Sequence, residues 1–340
     1  MKHSLNRKTL ITGGMGFIGT AMTKHFAKTD RVTVVDRLDF GISSEIEPLL
    51  QDKIVEFVEA DLAEPSPILN RIAEGEFDCI VHLAALTYIP LCEEYPEFTY
   101  SSNTITSLNL FSRLPEKTKL INFSTSATYA LDTKFHREET SDLHPVDIYG
   151  LSKKHMEDLS AYYAKKNSIG MINIRLANAA GYGETNPKLL GTIFEQILSG
   201  SDTVELGNLT PRRDFIYIDD IAWVIDQLLQ VWPVTPGKVN IINLGTGEEP
   251  LSVEEIFYKI ANASGRKIKL KSVESRKRKI ERELLCMDCT KLKTILPHYQ
   301  PKKIDDWISD LAKNPGIRTS SNLENRIISR RFRTDSTKLE

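Results

Sequence analysis

The chain has 340 residues, a length that predicts one large or two fused compact units. Its 44 Lys and Arg residues nearly balance 46 Asp and Glu residues, which argues against a nucleic-acid-binding protein, because that role needs a basic surface. No apolar run approaches the roughly 20 residues that span a bilayer, and residues 1–8 lead into a strand-like segment without the apolar stretch of a signal peptide. We therefore expect a cytoplasmic protein without a membrane span.

Short β-branched runs alternate with longer amphipathic stretches through the first half of the chain. This alternation is typical of βαβ units, in which helices cover both faces of a parallel sheet. The predicted strands are Lys8–Thr12, Val32–Asp36, Ile54–Val58, Cys79–Leu83, Lys119–Phe123 and Met171–Arg175. The predicted helices are Gly19–Lys28, Pro67–Glu74, Pro96–Leu114 and Asp147–Lys166.

The second half of the chain is less regular. A stretch rich in Gly, Asn and Pro, Gly181–Pro187, indicates a loop at a boundary. Further on, Ser252 is expected to cap a helix, with Glu255 at the capping-box position. The other predicted elements are a helix over Lys188–Ser199, a helix over Ile218–Val231 and a strand over Val239–Asn243 that returns to the first sheet.

A basic patch and four cysteines also bear on function. Residues 266–293 contain eleven Lys or Arg and four Asp or Glu, which indicates either a solvated face or a surface that captures a phosphorylated ligand. Cys79 lies in an apolar strand pattern, and Cys286 and Cys289 form a single C-x-x-C. Because a zinc site needs two further ligands at matching spacing, we interpret these cysteines as packing residues and predict no metal site.

A glycine-rich turn follows the first predicted strand. Gly13, Gly16 and Gly19 are three residues apart, so the backbone can turn tightly and approach a pyrophosphate, and the next helix presents free N–H groups to it. Asp36 ends the second strand, twenty residues beyond Gly16, where a carboxylate accepts hydrogen bonds from ribose hydroxyls and repels a 2′-phosphate. The pattern therefore favours NAD over NADP, although Arg37 next to it could accommodate the phosphate.

A tyrosine and a lysine define the predicted catalytic end. Tyr149 and Lys153 are four residues apart in a predicted helix and share one face. A lysine ammonium there is expected to lower the pKa of the tyrosine, which makes the phenolate a general base for an alcohol. Ser126 follows a strand at the carboxyl edge of the sheet, where such sheets bind ligands, whereas Ser124 and Thr128 could serve only as local turn caps.

Taken together, these motifs resemble those of extended short-chain dehydrogenases/reductases of the NAD-dependent sugar epimerase/dehydratase family. The resemblance extends from about Lys8 to Trp307 and implies a doubly wound α/β Rossmann fold with a smaller C-terminal α/β substrate domain. The motifs are 12-TGGMGFIG-19, 61-DL-62, 82-HLAA-85, Asn103 before a Leu-rich helix, 124-STSAT-128, 149-YGLSK-153, 175-RLAN-178, 213-RDFIYIDD-220 and 243-NLGTG-247.

The resemblance also implies domain boundaries and ligand-binding residues. Residues 1–176 would form the NAD-binding domain, with 216–245 returning to it, whereas 177–215 and 246–318 would form the substrate domain and 319–340 a polar tail. The implied cofactor residues are Gly13, Gly16, Phe17, Ile18, Gly19, Asp36, Arg37, Asp61, Leu62, Leu83, Ala84, Ala85, Asn103, Tyr149 and Lys153. The implied substrate residues are Thr87, Ser126, Asn178, Arg213 and Arg278, with Arg276 as the alternative to Arg278.

One departure from the family pattern selects among its reactions. Dehydratases of the family carry a carboxylate pair after the catalytic Ser or Thr, which supplies the base and the acid that eliminate water from the sugar. Ala127 and Thr128 occupy these positions here, and neither can act as that acid or base. The resemblance therefore favours NAD-dependent epimerisation of a nucleotide-diphosphate sugar at C4, with a UDP-sugar as partner and a homodimer as assembly. The alternatives are a nucleotide-sugar dehydrogenase, reductase, decarboxylase or dehydratase of the same family, and a non-catalytic protein that senses NAD.

Overall fold

A seven-stranded sheet forms the centre of the computed structural model, which describes residues 7–277 and 280–318. Its strands are all parallel and lie in the order β11-β6-β5-β4-β1-β2-β3, so β11 returns beside β6 as predicted. The strands of the protein are β1 (Lys8–Thr12), β2 (Arg31–Asp36), β3 (Val55–Glu59), β4 (Cys79–His82), β5 (Lys119–Thr125), β6 (Met171–Leu176), β7 (Asn178–Ala180), β8 (Thr203–Leu206), β9 (Arg212–Arg213), β10 (Phe215–Tyr217), β11 (Val239–Leu244), β12 (Leu251–Ser252), β13 (Lys269–Ser272) and β14 (Leu284–Leu285).

Helices cover both faces of this sheet, which confirms the predicted doubly wound α/β fold. The capping box of Ser252 and Glu255 is present at the start of its helix, as predicted. The helices are α1 (Phe17–Phe26), α2 (Glu47–Gln51), α3 (Pro67–Ala73), α4 (Ile89–Glu94), α5 (Pro96–Tyr100), α6 (Thr106–Phe111), α7 (Ile148–Asn167), α8 (Leu189–Leu198), α9 (Ile218–Val231), α10 (Val253–Ala263), α11 (Thr290–Ile295) and α12 (Ile304–Lys313).

The single helix predicted over Pro96–Leu114 is wrong in one respect. Five residues, Ser101–Ile105, form a π-helical turn between α5 and α6. Within this turn the Asn103 amide donates to the carbonyl of Leu86 and accepts from its N–H, at 3.0 and 2.7 Å. The wider turn thus accompanies a tertiary contact, a common setting for π-turns, which helix periodicity does not reveal.

The described residues contain three large apolar cores and a small fourth cluster of Leu86, Leu91 and Cys92. Two of them cover the two faces of the seven-stranded sheet. The third lies among α8, α10 and α12 in the C-terminal half. Met287, Leu292 and Tyr299, which the sequence analysis assigned to the substrate domain, pack into a core of the large sheet. The domain boundaries themselves stay a prediction.

The short strands of the C-terminal half surround the carboxyl edge of the large sheet. They form three small sheets: β7 with β10, β8 with β13, and β9 between β12 and β14. Within residues 7–277 and 280–318, no helix has the length and apolarity to cross a membrane. The predicted polar tail, 319–340, lies outside the described residues.

Candidate active site

The glycine-rich turn between β1 and α1 has a backbone that side chains would obstruct. Gly13 has a φ of +71°, and a Cβ built on it would lie 2.8 Å from the backbone nitrogen of Ala84. A Cβ on Gly19 would overlap the carbonyl of Gly13. The turn and the first N–H groups of α1 therefore form the open cradle that a pyrophosphate needs, which fits bound NAD.

One large cavity extends from this turn along the carboxyl edge of the sheet into the C-terminal half. Its volume is about 1130 Å³, at the upper limit of what a single small-molecule site requires. The predicted cofactor residues that line it are Gly13, Gly16, Phe17, Ile18, Gly19, Asp36, Arg37, Asp61, Leu62, Leu83, Ala84, Ala85 and Tyr149. The predicted substrate residues that line it are Thr87, Ser126, Asn178 and Arg213.

Charges at the β2 end of the cavity bear on the choice between NAD and NADP. The Asp36 carboxylate accepts from the N–H groups of Met15 at 3.0 Å and Leu38 at 2.7 Å, and burial raises the pKa of Asp36. The Arg37 guanidinium pairs with Asp39 at 2.8 Å and with Asp61 at 3.2 Å. Because two carboxylates already neutralise Arg37, this end of the cavity offers little positive charge to a 2′-phosphate.

Tyr149 lies in the first turn of α7. There the helix packs closely against residues 126–130, which we call the Ser126 loop. The Asp147 carboxylate caps this helix by accepting from the Gly150 N–H at 2.7 Å. A Cβ on Gly150 would lie 2.6 Å from the Ala127 carbonyl oxygen, so only glycine allows this approach. Burial raises the pKa of Tyr149, and a hydrogen bond with the Thr125 hydroxyl opposes that rise.

Lys153 does not act on Tyr149 as the sequence analysis expected. Its ammonium donates to the Phe123 carbonyl at 2.8 Å, and burial lowers the pKa of Lys153 to about 8. Burial is the main cause of the raised pKa of Tyr149, and the Asp147 carboxylate adds to it. The expected lowering of the Tyr149 pKa by Lys153 is not found in this structure, in which the ammonium is directed at a backbone carbonyl.

Ser126 begins a short helical turn directly after β5. In this turn the Thr125 hydroxyl accepts from the Ala127 N–H at 3.2 Å, and the Thr128 hydroxyl donates to the Thr125 carbonyl at 2.8 Å. Local capping, the alternative considered for Thr128, is thus confirmed. Ser124 has another role, because its hydroxyl donates to the buried Glu157 carboxylate at 2.5 Å.

Asn103, a predicted cofactor residue, is fully buried and holds protein groups together. Besides its two bonds to Leu86, its amide donates to the Ser152 hydroxyl at 2.9 Å. Ser152 in turn donates to the Tyr149 carbonyl at 2.8 Å. Asn103 therefore connects the loop after β4 to the helix that carries Tyr149.

The opposite end of the cavity, named the nucleotide end after the ligand that the family resemblance implies there, carries the predicted substrate residues of the C-terminal half. Arg213 on β9 donates to the Glu281 carboxylate at 2.8 Å. The Asn178 amide on β7 donates to the Asp214 carbonyl at 3.1 Å. Arg276 also lines the cavity, whereas Arg278 lies outside the described residues.

Among the lining residues that the sequence analysis missed are Glu281 and Arg282. Glu281 pairs with Arg213, and Arg282 donates through its guanidinium to backbone carbonyls of the Ser126 loop. Both occur within the basic patch of residues 266–293, where charge alone does not separate an inward side chain from its solvated neighbours. The excess of basic residues in this patch indicated a possible ligand-binding surface, but it did not identify Glu281 or Arg282 as residues that face the cavity.

The chain has many recognisable relatives. Residues 9–245 match the NAD dependent epimerase/dehydratase family. UDP-arabinose 4-epimerase 1 of Arabidopsis thaliana is 30% identical over 77% of this chain and 68% of its own length. UDP-glucose 4-epimerase of Lactobacillus helveticus is 26% identical over 89% of this chain and 95% of its own length.

The solved structure of the UDP-Glc/GlcNAc 4-epimerase from Campylobacter jejuni superimposes with a TM-score of 0.77 at 28% identity, covering 92% of this chain and 98% of that one. The chain spans about two thirds of the length of the first plant relatives, from 65% to 70%. The family match confirms the resemblance deduced from the motifs and the dependence on NAD. The chain belongs to the NAD-dependent epimerase/dehydratase family.

Proposed function

We propose that this protein epimerises a UDP-sugar at C4, through a transient 4-keto sugar and without net consumption of NAD. The observation that carries the proposal is one continuous cavity that brings the glycine turn, Ser126, Tyr149 and Arg213 together. Names of relatives support C4 chemistry and the UDP moiety, since the plant and bacterial proteins above are called UDP-sugar 4-epimerases.

The residues that line the cavity support this reaction. Arg213 would bind the diphosphate, since guanidinium groups pair well with phosphate oxygens, and Asn178 would contact the same group. Thr87 and Ser126 would hydrogen-bond the sugar. Anchoring through the diphosphate leaves the sugar ring able to turn between two faces, and the binding energy comes from atoms remote from C4.

Tyr149 would accept the proton of the C4 hydroxyl, while Ser126 orients that hydroxyl. When bound, NAD supplies the acceptor and the donor for the C4 hydride. Because burial raises the pKa of Tyr149 and the Thr125 hydroxyl opposes that rise, proton removal would depend on the hydrogen bond with Thr125. Lys153 keeps its ammonium at neutral pH, since its pKa is about 8, and it would also bond the nicotinamide ribose.

Elimination of water fits this cavity less well. A dehydratase needs an acid and a base after the catalytic hydroxyl, but Ala127 has neither, and the Thr128 hydroxyl is buried and bonded to the Thr125 carbonyl. Net oxidation, reduction and decarboxylation of a nucleotide sugar share the Tyr149 base. They are distinguished by experiment rather than by these residues.

Assembly and location remain predictions. The homodimer is expected to form through the segment from α5 to α6 and through α7, where Ile105 of the π-helical turn and Tyr162 of α7 are 40% and 57% exposed. Cytoplasmic location and the absence of nucleic-acid binding rest on the sequence alone.

The decisive experiment gives the purified protein several UDP-sugars deuterated at C4, with no added NAD. We expect one or more C4 epimers that retain the deuterium, because the same hydrogen returns to the carbon it left, and no rise in absorbance at 340 nm. Stoichiometric NADH, release of CO₂ or a 6-deoxy product would identify one of the rival reactions. Absence of a C4 epimer with every sugar would contradict the proposal.

A further inference from the structure

Arg282 is a buried arginine that donates hydrogen bonds to backbone carbonyls of the active site. Its guanidinium donates to the carbonyls of Ala127 and Tyr129, both at 2.9 Å, and of Ala130 at 3.4 Å. The residue is only 9% exposed and lines the active-site cavity. A buried cation that meets neutral carbonyls regains less of its lost hydration energy than one paired with a carboxylate. Stability alone therefore does not account for this contact.

The three carbonyls belong to the loop that begins at Ser126. On its other side the Ala127 carbonyl touches Gly150 of α7, where a Cβ would come within 2.6 Å. One carbonyl is therefore held between Arg282 and the helix turn that carries Tyr149. Fixing the loop at this point fixes the position of Ser126 relative to Tyr149.

Arg282 also belongs to the segment that holds the nucleotide end. The preceding residue, Glu281, pairs with Arg213 at 2.8 Å. The following residues form β14, which pairs with β9 so that Leu285 lies opposite Arg213. Arg282 therefore lies beside residues that hold Arg213, but its own N–H groups are directed at the Ser126 loop.

We infer that Arg282 is a positioning residue for the reaction: it sets the Ser126 loop against Tyr149. The inference rests on the proposed function. It predicts that Arg282 affects the chemical step and leaves binding of the nucleotide nearly unchanged, since its N–H groups are used by backbone carbonyls rather than by a ligand.

The test compares Arg282→Met and Arg282→Lys with Arg266→Met. Arg266 is a matched control, because it too donates to three backbone carbonyls, those of Ile197, Gly200 and Ser201, but lines no part of the active-site cavity. The measurements are kcat and KM for the best UDP-sugar, the Kd of UDP by calorimetry, the bound NAD content and Tm.

For Arg282→Met we expect kcat to fall roughly 100-fold, the loss typical of a misplaced catalytic group, with the Kd of UDP within about 3-fold. Arg282→Lys should recover part of kcat, because an ammonium still reaches one carbonyl, and it remains informative if the methionine variant fails to fold. Arg266→Met should lower Tm and leave kcat unchanged. An unchanged kcat in the Arg282 variants, or a weaker Kd of UDP with kcat preserved, would overturn the inference. An inactive wild type would overturn the proposed function and the inference with it.

Discussion

The two ends of the cavity are built in different ways. At the cofactor end, the ligand-facing groups come from the carboxyl ends of adjacent parallel strands, and much of the surface is backbone, as at Gly13 and Ala84. At the nucleotide end, side chains meet from segments far apart in the chain, such as Arg213 and Glu281. The course of the backbone determines the shape of the cofactor end. The charged side chains that meet at the nucleotide end determine what that end can bind.

This difference also appears in the charges. Arg37 at the cofactor end is balanced by two carboxylates and lies 4.9 Å from the centre of the Phe98 ring. Arg213 at the nucleotide end has Glu281 as its carboxylate partner in an ion pair. A diphosphate that reaches Arg213 therefore has a carboxylate to replace, whereas a ligand near Arg37 meets a network already satisfied.

The largest effect is expected between the two ends, at Tyr149. Tyr149→Phe removes the proposed base and should lower kcat about 1000-fold, since general acid–base groups contribute 100- to 10,000-fold. Bound NAD and the Kd of UDP should be retained. Tyr162→Phe is the control on the same helix, because Tyr162 is 57% exposed, and it should keep full activity. A Tyr149→Phe variant that turns over normally would remove the proposed mechanism.

The next largest effect is expected in the glycine turn, where a substitution tests whether the shape of the backbone determines NAD binding at the cofactor end. In Gly19→Ala the new Cβ would overlap the Gly13 carbonyl, and overpacking of this kind costs about 3 kcal/mol, or roughly 4 °C in Tm for a chain of this length. Most of the bound NAD should be lost as well.

Gly16→Ala is the matched variant. Its Cβ would lie 3.3 Å from the same carbonyl oxygen, so Tm should change little. Thermal unfolding measures Tm, and the ratio of nucleotide to protein absorbance of the purified variants measures the bound NAD. Equal Tm values for the two variants would contradict the comparison of the two ends.

The contrast between the ends also explains what the sequence could predict. The strand ends, the glycine turn and the Ser252 cap are local features, and a few neighbouring residues determine each of them. The same applies to the return of β11, because its apolar run matches the other buried strands.

Features that depend on distant contacts were not predictable. The π-turn at Asn103 accompanies a contact with Leu86, and Lys153 is turned to the Phe123 carbonyl, thirty residues away. Arg282 resembles its basic neighbours in sequence, and only the fold brings it against the carbonyls of the Ser126 loop. Met287 and Tyr299 have apolar side chains, but a hydrophobic pattern does not specify which of the cores receives them.

The nucleotide end should respond to single charges. Arg213→Met should weaken the Kd of UDP roughly 10- to 100-fold, because a hydrogen bond to a charged group contributes about 1.5–3 kcal/mol. Glu281→Gln should tighten the Kd a few-fold, since the diphosphate would no longer displace a carboxylate from Arg213. Calorimetry with UDP measures both. Tighter binding by Arg213→Met, or weaker binding by Glu281→Gln, would show that the diphosphate lies elsewhere.

The smallest effect is expected in the pH dependence of NAD affinity. Burial raises the pKa of Asp36, so this carboxylate takes up its proton at a higher pH than an exposed aspartate. As pH falls through that raised pKa, Asp36 becomes neutral and accepts ribose hydrogen bonds less well, and NAD affinity should drop a few-fold. Asp36→Asn should bind NAD weakly with a flat pH profile. The affinity for a UDP-sugar should remain constant over the same range, because its diphosphate is esterified at both ends and the arginine that would bind it stays protonated. A parallel fall in both affinities would point to acid unfolding instead.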